Sequence, residues 1–216
     1  MAFRLEVVGA RNIPPSGGAL VACNHISVMD AVFVALPVVD RGRAIHFFGL
    51  SQDFERPILG WGMRKLGQIP IRRGFGDWEA IETGADALRQ GMLLGVAPEG
   101  TVGDGRQLAP GQKGAARMAL MGGAPIIPVG VWGTHLRWPK SGLRLSAPVR
   151  PTVALVFGEP IRAEGDPKHR PDVQSLTDQM MGAIDSLVAE ARGRGGTSRQ
   201  GPMGLKSSSS PAHPRS

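Results

Sequence analysis

Short apolar runs alternate with longer amphipathic runs along most of this chain, a pattern that predicts strands alternating with helices. The predicted strands are residues 3–8, 19–23, 44–48, 69–71, 92–97, 126–132 and 152–157. The predicted helices are residues 30–36, 53–65, 78–90, 113–121 and 172–191. Such alternation is typical of a single α/β domain, in which helices flank a mixed, mostly parallel β-sheet.

The alternating pattern ends near residue 192. Residues 193–216 contain six serines, five glycines and three prolines, together with four arginines and lysines and no acidic residue. A segment of this composition cannot bury a core. We therefore expect a folded domain over residues 1–192 and a disordered, basic, Ser/Gly/Pro-rich tail over residues 193–216.

The formal net charge of +7 is unevenly distributed, because the tail contributes +4 and leaves only +3 on the predicted domain. This excess does not indicate a nucleic-acid partner, and no basic stretch interleaved with aromatic residues supports one. The single cysteine, Cys23, excludes internal disulfides and a multi-cysteine zinc site. No metal-ligand spacing such as HExxH is present, so we expect no metal.

No apolar run reaches the length of about 18 residues that would span a bilayer. The first residues also lack the apolar region of a secretory signal. We expect a cytoplasmic protein, and any membrane contact that it makes is predicted to be peripheral.

The segment Asn24-His25-Ile26-Ser27-Val28-Met29-Asp30 follows the predicted strand 19–23 and carries the main chemical signal. A five-residue step does not align two side chains on one helix. His25 is therefore predicted in the turn, with Asp30 in the following helix reaching back to it as in a general base. The N–H groups at that helix start are free to bind an oxyanion. The alternative is a capped helix, with Asn24 or Ser27 as N-cap and no catalytic role for His25.

Two further segments place polar groups after predicted strands. Arg72 and Arg73 follow strand 69–71 and could bind a phosphate through paired N–H donors; the alternative is a solvated strand end. Glu99, Gly100 and Thr101 follow strand 92–97 at the edge where α/β sheets bind ligands. Thr101 stands where a phosphate-binding P-loop requires lysine, which argues against a nucleotide site. The alternative for Glu99 is a turn cap.

The order of these segments resembles the glycerolipid acyltransferase family, of the lysophosphatidic acid acyltransferase type. The matching features are NHxxxxD after a strand, a strand ending in arginine, Pro98-Glu99-Gly100-Thr101 after a strand, and the proline-bracketed strand Pro125–Val129. The resemblance covers roughly Phe3 to Ile161 and implies the fold of that family.

Roles carry over from the resemblance to single positions of this chain. It implies that His25 is the general base and that Asp30 orients it. It also implies that Arg73, with Arg72 beside it, binds acceptor phosphate. Glu99, Gly100 and Thr101 would shape the acceptor site. Asn24 and Lys113 complete the predicted substrate-binding set.

The implied reaction moves a fatty acyl group from acyl-CoA or acyl carrier protein to the hydroxyl of a lysophosphatidic acid or related lysophospholipid, in phospholipid biosynthesis. No cofactor beyond that acyl donor is expected. Val102 and Gly103 stand where the family commonly has Arg-Ser, which leaves a glycolipid acceptor open. An acyl-thioester hydrolase that uses the same His25–Asp30 pair remains an alternative, as does a non-catalytic lipid-binding or CoA-binding module.

Membrane docking is expected on the inner face of the plasma membrane. The stretch from Asp40 to Arg73 has an excess of basic residues, which suits an anionic membrane surface. The apolar residues predicted to dock beside it are Phe47, Phe48, Ile58, Leu59, Trp61 and Met63. The alternative is that these residues belong to the core.

Overall fold

The computed structural model describes residues 3–71, 77–139, 141–142 and 150–197. The strands of this part are β1 (Arg4–Val8), β2 (Ala19–Cys23), β3 (Ile45–Leu50), β4 (Ile69–Ile71), β5 (Leu93–Val96), β6 (Ile126–Trp132) and β7 (Thr152–Phe157). The helices are α1 (Asp30–Asp40), α2 (Ser51–Phe54), α3 (Pro57–Lys65), α4 (Asp77–Arg89), α5 (Gly114–Gly122), α6 (Thr134–Arg137) and α7 (Arg170–Thr197).

The seven strands form one sheet in the order β1-β7-β6-β2-β5-β3-β4. Every neighbouring pair is parallel except β6 and β7, which are antiparallel. The prediction of a mixed, mostly parallel sheet is therefore confirmed. Among the described strands, β4 has β3 as its one neighbour, and an edge strand tolerates Pro70 because no ladder hydrogen bond is lost on its outer side.

Alternating side chains of β2 divide the core into two layers, as the pleat of a strand requires. Ala19, Val21 and Cys23 pack with Phe33, Val34 and Val38 of α1. Leu20 and Ala22 point to the opposite face, where helices α4, α5 and α7 cover the sheet. The central strands β2, β6 and β7 are buried along nearly their whole length, so they form a rigid base for the loops that follow them.

The predicted helices 30–36 and 53–65 differ in extent from those observed. The single helix predicted over residues 53–65 is two helices, because Pro57 lacks an N–H and forces Arg56 into an extended conformation, with φ −71° and ψ 126°. The helix predicted to end at Leu36 continues through Pro37 to Asp40 and is followed by Gly42, whose φ is +72°.

Helix α7 continues beyond the predicted domain boundary. Residues 193–197, which we expected in the disordered tail, are helical. Arg194 explains the extension, because it pairs with Glu190 one turn earlier and with Glu6 of β1 at 3.1 Å. Residues 198–216 lie outside the described residues, so the division into a domain and a tail stays a prediction. Within the described ranges no helix is both long and apolar enough to cross a membrane.

Candidate active site

The carboxyl ends of β6, β2 and β5 lie side by side, because these three strands are adjacent and parallel. The segments that follow them meet at one edge of the sheet, the usual ligand-binding edge of α/β folds. They are residues 24–30 after β2, residues 97–112 after β5 and residues 133–137 after β6.

His25 and Asp30 are in contact, as the NHxxxxD spacing predicts. The imidazole Nδ1 lies 3.0 Å from Oδ2 of Asp30. The His25 side chain is 28% exposed, whereas that of Asp30 is only 1% exposed. The carboxylate is thus removed from water while the imidazole reaches the surface, an arrangement that suits proton exchange with a bound molecule.

The hydrogen bonds of Asp30 determine which imidazole nitrogen carries a proton. Oδ2 also accepts bonds from the main-chain amides of Ile26, at 2.7 Å, and Ser27, at 2.8 Å. Because amides can only donate, this oxygen is an acceptor, and Nδ1 of neutral His25 must hold the proton between them. Nε2 is then the unprotonated nitrogen, and in the described part of the chain it has no hydrogen-bond partner.

The same amides narrow one expectation for this turn, which stays a prediction for the other amides at the start of α1. We expected free N–H groups at the start of α1 to bind an oxyanion, but those of Ile26 and Ser27 are bonded to Asp30. The amides of Met29 and Asp30 are bonded to the side chain and the carbonyl of Ser27. These four amides hold the turn in shape and are not available to a substrate.

The backbone of His25 is fixed by the segment that follows β5. Its amide donates to Oε1 of Glu99 at 2.8 Å, and its carbonyl accepts from the amide of Gly103 at 2.7 Å. The second carboxylate oxygen of Glu99 accepts from the amide of Ala109 at 2.8 Å. Glu99 is buried, and each of its carboxylate oxygens accepts a hydrogen bond from a main-chain amide at the site. The prediction that Glu99 shapes the acceptor site stays a prediction.

Asn24 joins β2 to β6 beyond the last strand pair. Its amide oxygen accepts from the Val131 amide at 2.7 Å, and its amide nitrogen donates to the Val131 carbonyl at 3.0 Å. The side chain therefore replaces a strand residue in the ladder and is buried. The polar atoms of the Asn24 side chain are already paired with the backbone. Contact of Asn24 with a substrate stays a prediction.

The other predicted binding residues are Gly100, Thr101, Lys113, Arg72 and Arg73. Gly100 adopts a left-handed conformation, with φ +67°, which bends the chain after Glu99. Thr101 is exposed, and Lys113 is half-buried immediately before α5. Arg72 and Arg73 lie outside the described residues. The binding roles of these five residues stay predictions.

Cys23 ends β2 directly before Asn24 and has no chemical role in this arrangement. Burial, reinforced by the negative charges of Asp30 and Glu99, raises the pKa of its thiol far above the ordinary value. The thiol therefore stays protonated, as expected for a buried apolar residue. Among the described residues no cluster of His, Cys, Asp or Glu could hold a metal ion.

A small cleft adjoins Asn24 and Glu99 on the α7 side of the sheet and encloses about 110 Å³. Its apolar walls include Ile26, Leu108 and Trp132. Pockets that hold a whole ligand usually enclose about 300–1,000 Å³. The cleft is therefore too small to enclose both substrates of a group transfer.

Comparisons with known proteins bear on the family of this chain. Residues 4–132 match the family model described as "Acyltransferase", which is more than half of the chain. A 1-acyl-sn-glycerol-3-phosphate acyltransferase of Bacillus subtilis is 26% identical over 186 residues, covering 86% of this chain and 87% of that protein. The chloroplastic 1-acyl-sn-glycerol-3-phosphate acyltransferase BAT2 of Brassica napus is 27% identical over 135 residues, covering 61% of this chain but 38% of that protein.

A solved structure has the same fold. The crystal structure of the 1-acyl-sn-glycerophosphate acyltransferase PlsC from Thermotoga maritima matches with a TM-score of 0.67 and 24% identity, covering 87% of this chain and 73% of that chain. At this identity the match shows the fold alone. The family match runs from β1 through β6 and includes the His25 and Asp30 segment, which confirms the resemblance drawn from the motifs. The chain therefore belongs to the acyltransferase family, and it is an acyltransferase.

Proposed function

We propose that this acyltransferase moves a fatty acyl group from acyl-CoA or acyl carrier protein to the hydroxyl of lysophosphatidic acid or a related lysophospholipid. The observation that carries the proposal is the imidazole of His25, which is 28% exposed at the sheet edge and lies 3.0 Å from the buried carboxylate of Asp30. The names of the relatives from Bacillus subtilis and Brassica napus support the choice of acceptor.

The proposed reaction is a direct transfer with His25 as general base. Nε2 accepts the proton of the acceptor hydroxyl while the hydroxyl oxygen attacks the thioester carbonyl carbon. The C–S bond then breaks, an ester forms, and the thiolate takes the proton back from the imidazolium. Asp30 keeps Nδ1 protonated throughout and stabilises the positive ring.

Binding of the acceptor phosphate is assigned to Arg72 and Arg73. A guanidinium can bind phosphate through two parallel N–H donors, which the ammonium of lysine cannot do. We therefore expect Arg73→Lys to raise KM for the phosphorylated acceptor with little change in kcat. If a glycolipid is the acceptor instead, KM is expected to be insensitive to this substitution.

A labelled acyl-CoA, incubated with and without lysophosphatidic acid, tests the transfer itself. Acyl transfer predicts labelled phospholipid that requires the acceptor and little free fatty acid. Free fatty acid released at the same rate in both samples would instead make the protein a thioester hydrolase. Mass spectrometry of the products from a panel of lysophospholipids and glycolipids identifies the acceptor class.

The proposed acceptor is a lipid, and one face of the protein is suited to a membrane. In α3, Ile58, Leu59 and Trp61 are exposed, and Lys65 lies over the Trp61 ring at 5.5 Å. Tryptophan and basic side chains of this kind favour the interface of an anionic bilayer. We also expected Phe47, Phe48 and Met63 to dock. Phe47 and Phe48 are partly buried and pack against the core, and Met63 packs against Gly49.

Helix α1 carries further exposed apolar residues on the same face of the sheet as α3. Its outward positions Val32, Leu36 and Val39, and Val28 before it, are all exposed and apolar. Side chains alternate along β3, so Gly49 lies on the same face as Ile45 and Phe47, the face that α1 covers. Because Met63 of α3 lies against Gly49, both helices cover that one face. The surface begins three residues after His25, which would bring a membrane lipid to the site.

We propose that this surface docks on the inner face of the plasma membrane. Co-sedimentation with vesicles that contain phosphatidylglycerol tests the docking. Trp61→Ser is expected to weaken sedimentation, whereas Trp78→Ser, on α4 at the opposite face of the sheet, is expected to leave it unchanged. Equal effects of the two substitutions would contradict this orientation.

A further inference from the structure

Thr134 supplies the hydrogen bond to the second carboxylate oxygen of Asp30. Its hydroxyl donates to Oδ1 at 2.6 Å, across 104 residues of sequence, and the residue is fully buried. Oδ2 already accepts three bonds, from Ile26, Ser27 and His25. Within the described residues Thr134 is the one partner of Oδ1, so this hydroxyl completes the set of bonds around the carboxylate.

The fold places this hydroxyl through two neighbouring features. Asn24 bonds both backbone atoms of Val131, which fixes the end of β6 against the end of β2. Gly133 then turns the chain with φ +94°, close enough to β7 that an added Cβ would lie 2.1 Å from the Thr152 carbonyl oxygen. Thr134 begins α6 directly after this turn and lies over Asp30.

A buried carboxylate with one unpaired oxygen is costly, and it is also free to change its orientation. The two amides on Oδ2 restrain that oxygen, but rotation about the Cβ–Cγ bond of Asp30 would still carry Oδ2 out of line with Nδ1 of His25. A donor on Oδ1 prevents this rotation. The ordered carboxylate then fixes both the ring orientation and the position of Nε2.

We infer that Thr134 is a positioning residue for acyl transfer, acting on His25 through Asp30 and touching neither substrate. This inference rests on the proposed role of His25 as general base. Loss of the hydroxyl lowers kcat and leaves the KM of both substrates unchanged, because the residue is shielded from solvent. Serine at this position, which keeps the hydroxyl and lacks the methyl group, is sufficient to hold Asp30.

The test compares Thr134→Val, which replaces the hydroxyl with a methyl group, and Thr134→Ser, which keeps the hydroxyl. Thr177→Val is the matched control, because Thr177 is also buried and its hydroxyl donates to a helix carbonyl, that of Val173, at 2.7 Å. We expect Thr134→Val to lower kcat about ten- to a hundredfold. Thr134→Ser and Thr177→Val are expected to stay within about threefold of the unsubstituted protein.

Two further measurements separate positioning from a general loss of structure. In a His25→Ala background, Thr134→Val is expected to cause no further loss of rate, because the group that it positions is gone. The imidazole nitrogen NMR shifts of His25 need no substrate. They are expected to change in Thr134→Val and to be retained in Thr134→Ser.

Unchanged kcat and unchanged His25 shifts in Thr134→Val would overturn the inference, as would equal losses in the valine and serine variants. These results leave the proposed function intact. Failure of the proposed function would look different, since the unsubstituted protein would then form no acylated lipid or His25→Ala would remain fully active. The NMR comparison would still decide the role of Thr134 in that case.

Discussion

The amide of His25 donates a hydrogen bond to Glu99 at 2.8 Å, so the predicted base is held by a carboxylate 74 residues away. The other oxygen of Glu99 holds the amide of Ala109. A carboxylate that bridges two main-chain amides is acceptor-only, and no neutral side chain of the same shape provides two such acceptors. The Glu99 side chain of the Pro98–Thr101 segment therefore fixes the backbone of the predicted base. The segment also lines the sheet edge.

Glu99→Gln is predicted to destabilise the protein by about 1–3 kcal/mol, because one buried amide would face the NH2 group of the glutamine. We also expect kcat to fall, since glutamine cannot accept from the His25 amide and the Ala109 amide at the same time. Urea denaturation and steady-state kinetics measure the two effects. If Glu99 instead binds the acceptor directly, acceptor KM would rise while the free energy of unfolding stays unchanged.

His25→Ala is predicted to lower the acyl-transfer rate about 10²- to 10⁴-fold, the usual contribution of a positioned general base. The chain contains a matched control in His169, whose Nδ1 lies 2.8 Å from Oδ1 of Asp172. That pair is exposed near the start of α7, and it lies far from His25 in the sequence.

His169→Ala is therefore expected to retain full activity, as measured in the same product assay. Equal losses in both variants would show that neither histidine is specific to the chemistry. The two pairs have similar N–O distances, 3.0 and 2.8 Å, but both side chains of the His25–Asp30 pair are more buried than their counterparts in the His169–Asp172 pair.

Gly133→Ala is predicted to be far more destabilising than Gly123→Ala. Both glycines adopt positive φ, +94° and +61°, which costs a non-glycine residue about 1–2 kcal/mol. An added Cβ meets nothing within 4 Å at Gly123, but lies 2.1 Å from the Thr152 carbonyl oxygen at Gly133. Gly133→Ala must therefore also displace β7 from the end of β6.

Thermal unfolding of the two alanine variants gives the comparison directly. Because Gly133 precedes Thr134, its alanine variant is also expected to lose acyl-transfer activity at temperatures where it remains folded. Similar unfolding temperatures for the two variants would contradict the predicted clash.

Cys23 is predicted to resist alkylation by iodoacetamide in the native protein, even at pH values where an ordinary cysteine reacts. The thiolate is the reactive species, and the pKa of this thiol is raised by burial and by Asp30 and Glu99. The thiol thus remains protonated as pH rises through the ordinary cysteine range. Mass spectrometry after alkylation, with the urea-unfolded protein as control, measures the difference. Rapid labelling of the native protein would contradict the burial of β2.

The chain order of strands and helices could be predicted from the sequence because each element carries its own periodicity. Strands β6 and β7 match their predicted bounds, 126–132 and 152–157. The strand order could not be predicted, since it depends on contacts between segments far apart in the chain. The break between α2 and α3 was open to prediction, because Pro57 excludes a helical conformation for the residue before it.

The contact between His25 and Asp30 could also be predicted, because both residues belong to one local motif. The role of Thr134 could not, because it depends on β6 lying beside β2. One signal was available: Thr134 follows a buried strand by two residues, at the end where parallel strands converge. The apolar outer face of α1 was missed for a different reason. The predicted helix 30–36 was among the runs interpreted as amphipathic, although the exposed positions of α1 include valine and leucine.

Among the described strands, β1 pairs with β7 alone, with Arg4 opposite Thr152. During synthesis β1 therefore stays unpaired until β7, far along the chain, has left the ribosome. Pairing over such a sequence distance gives a high contact order, which slows folding. Any truncation before β7 leaves both β1 and the outer edge of β6 without partners, and open strand edges of this kind promote aggregation.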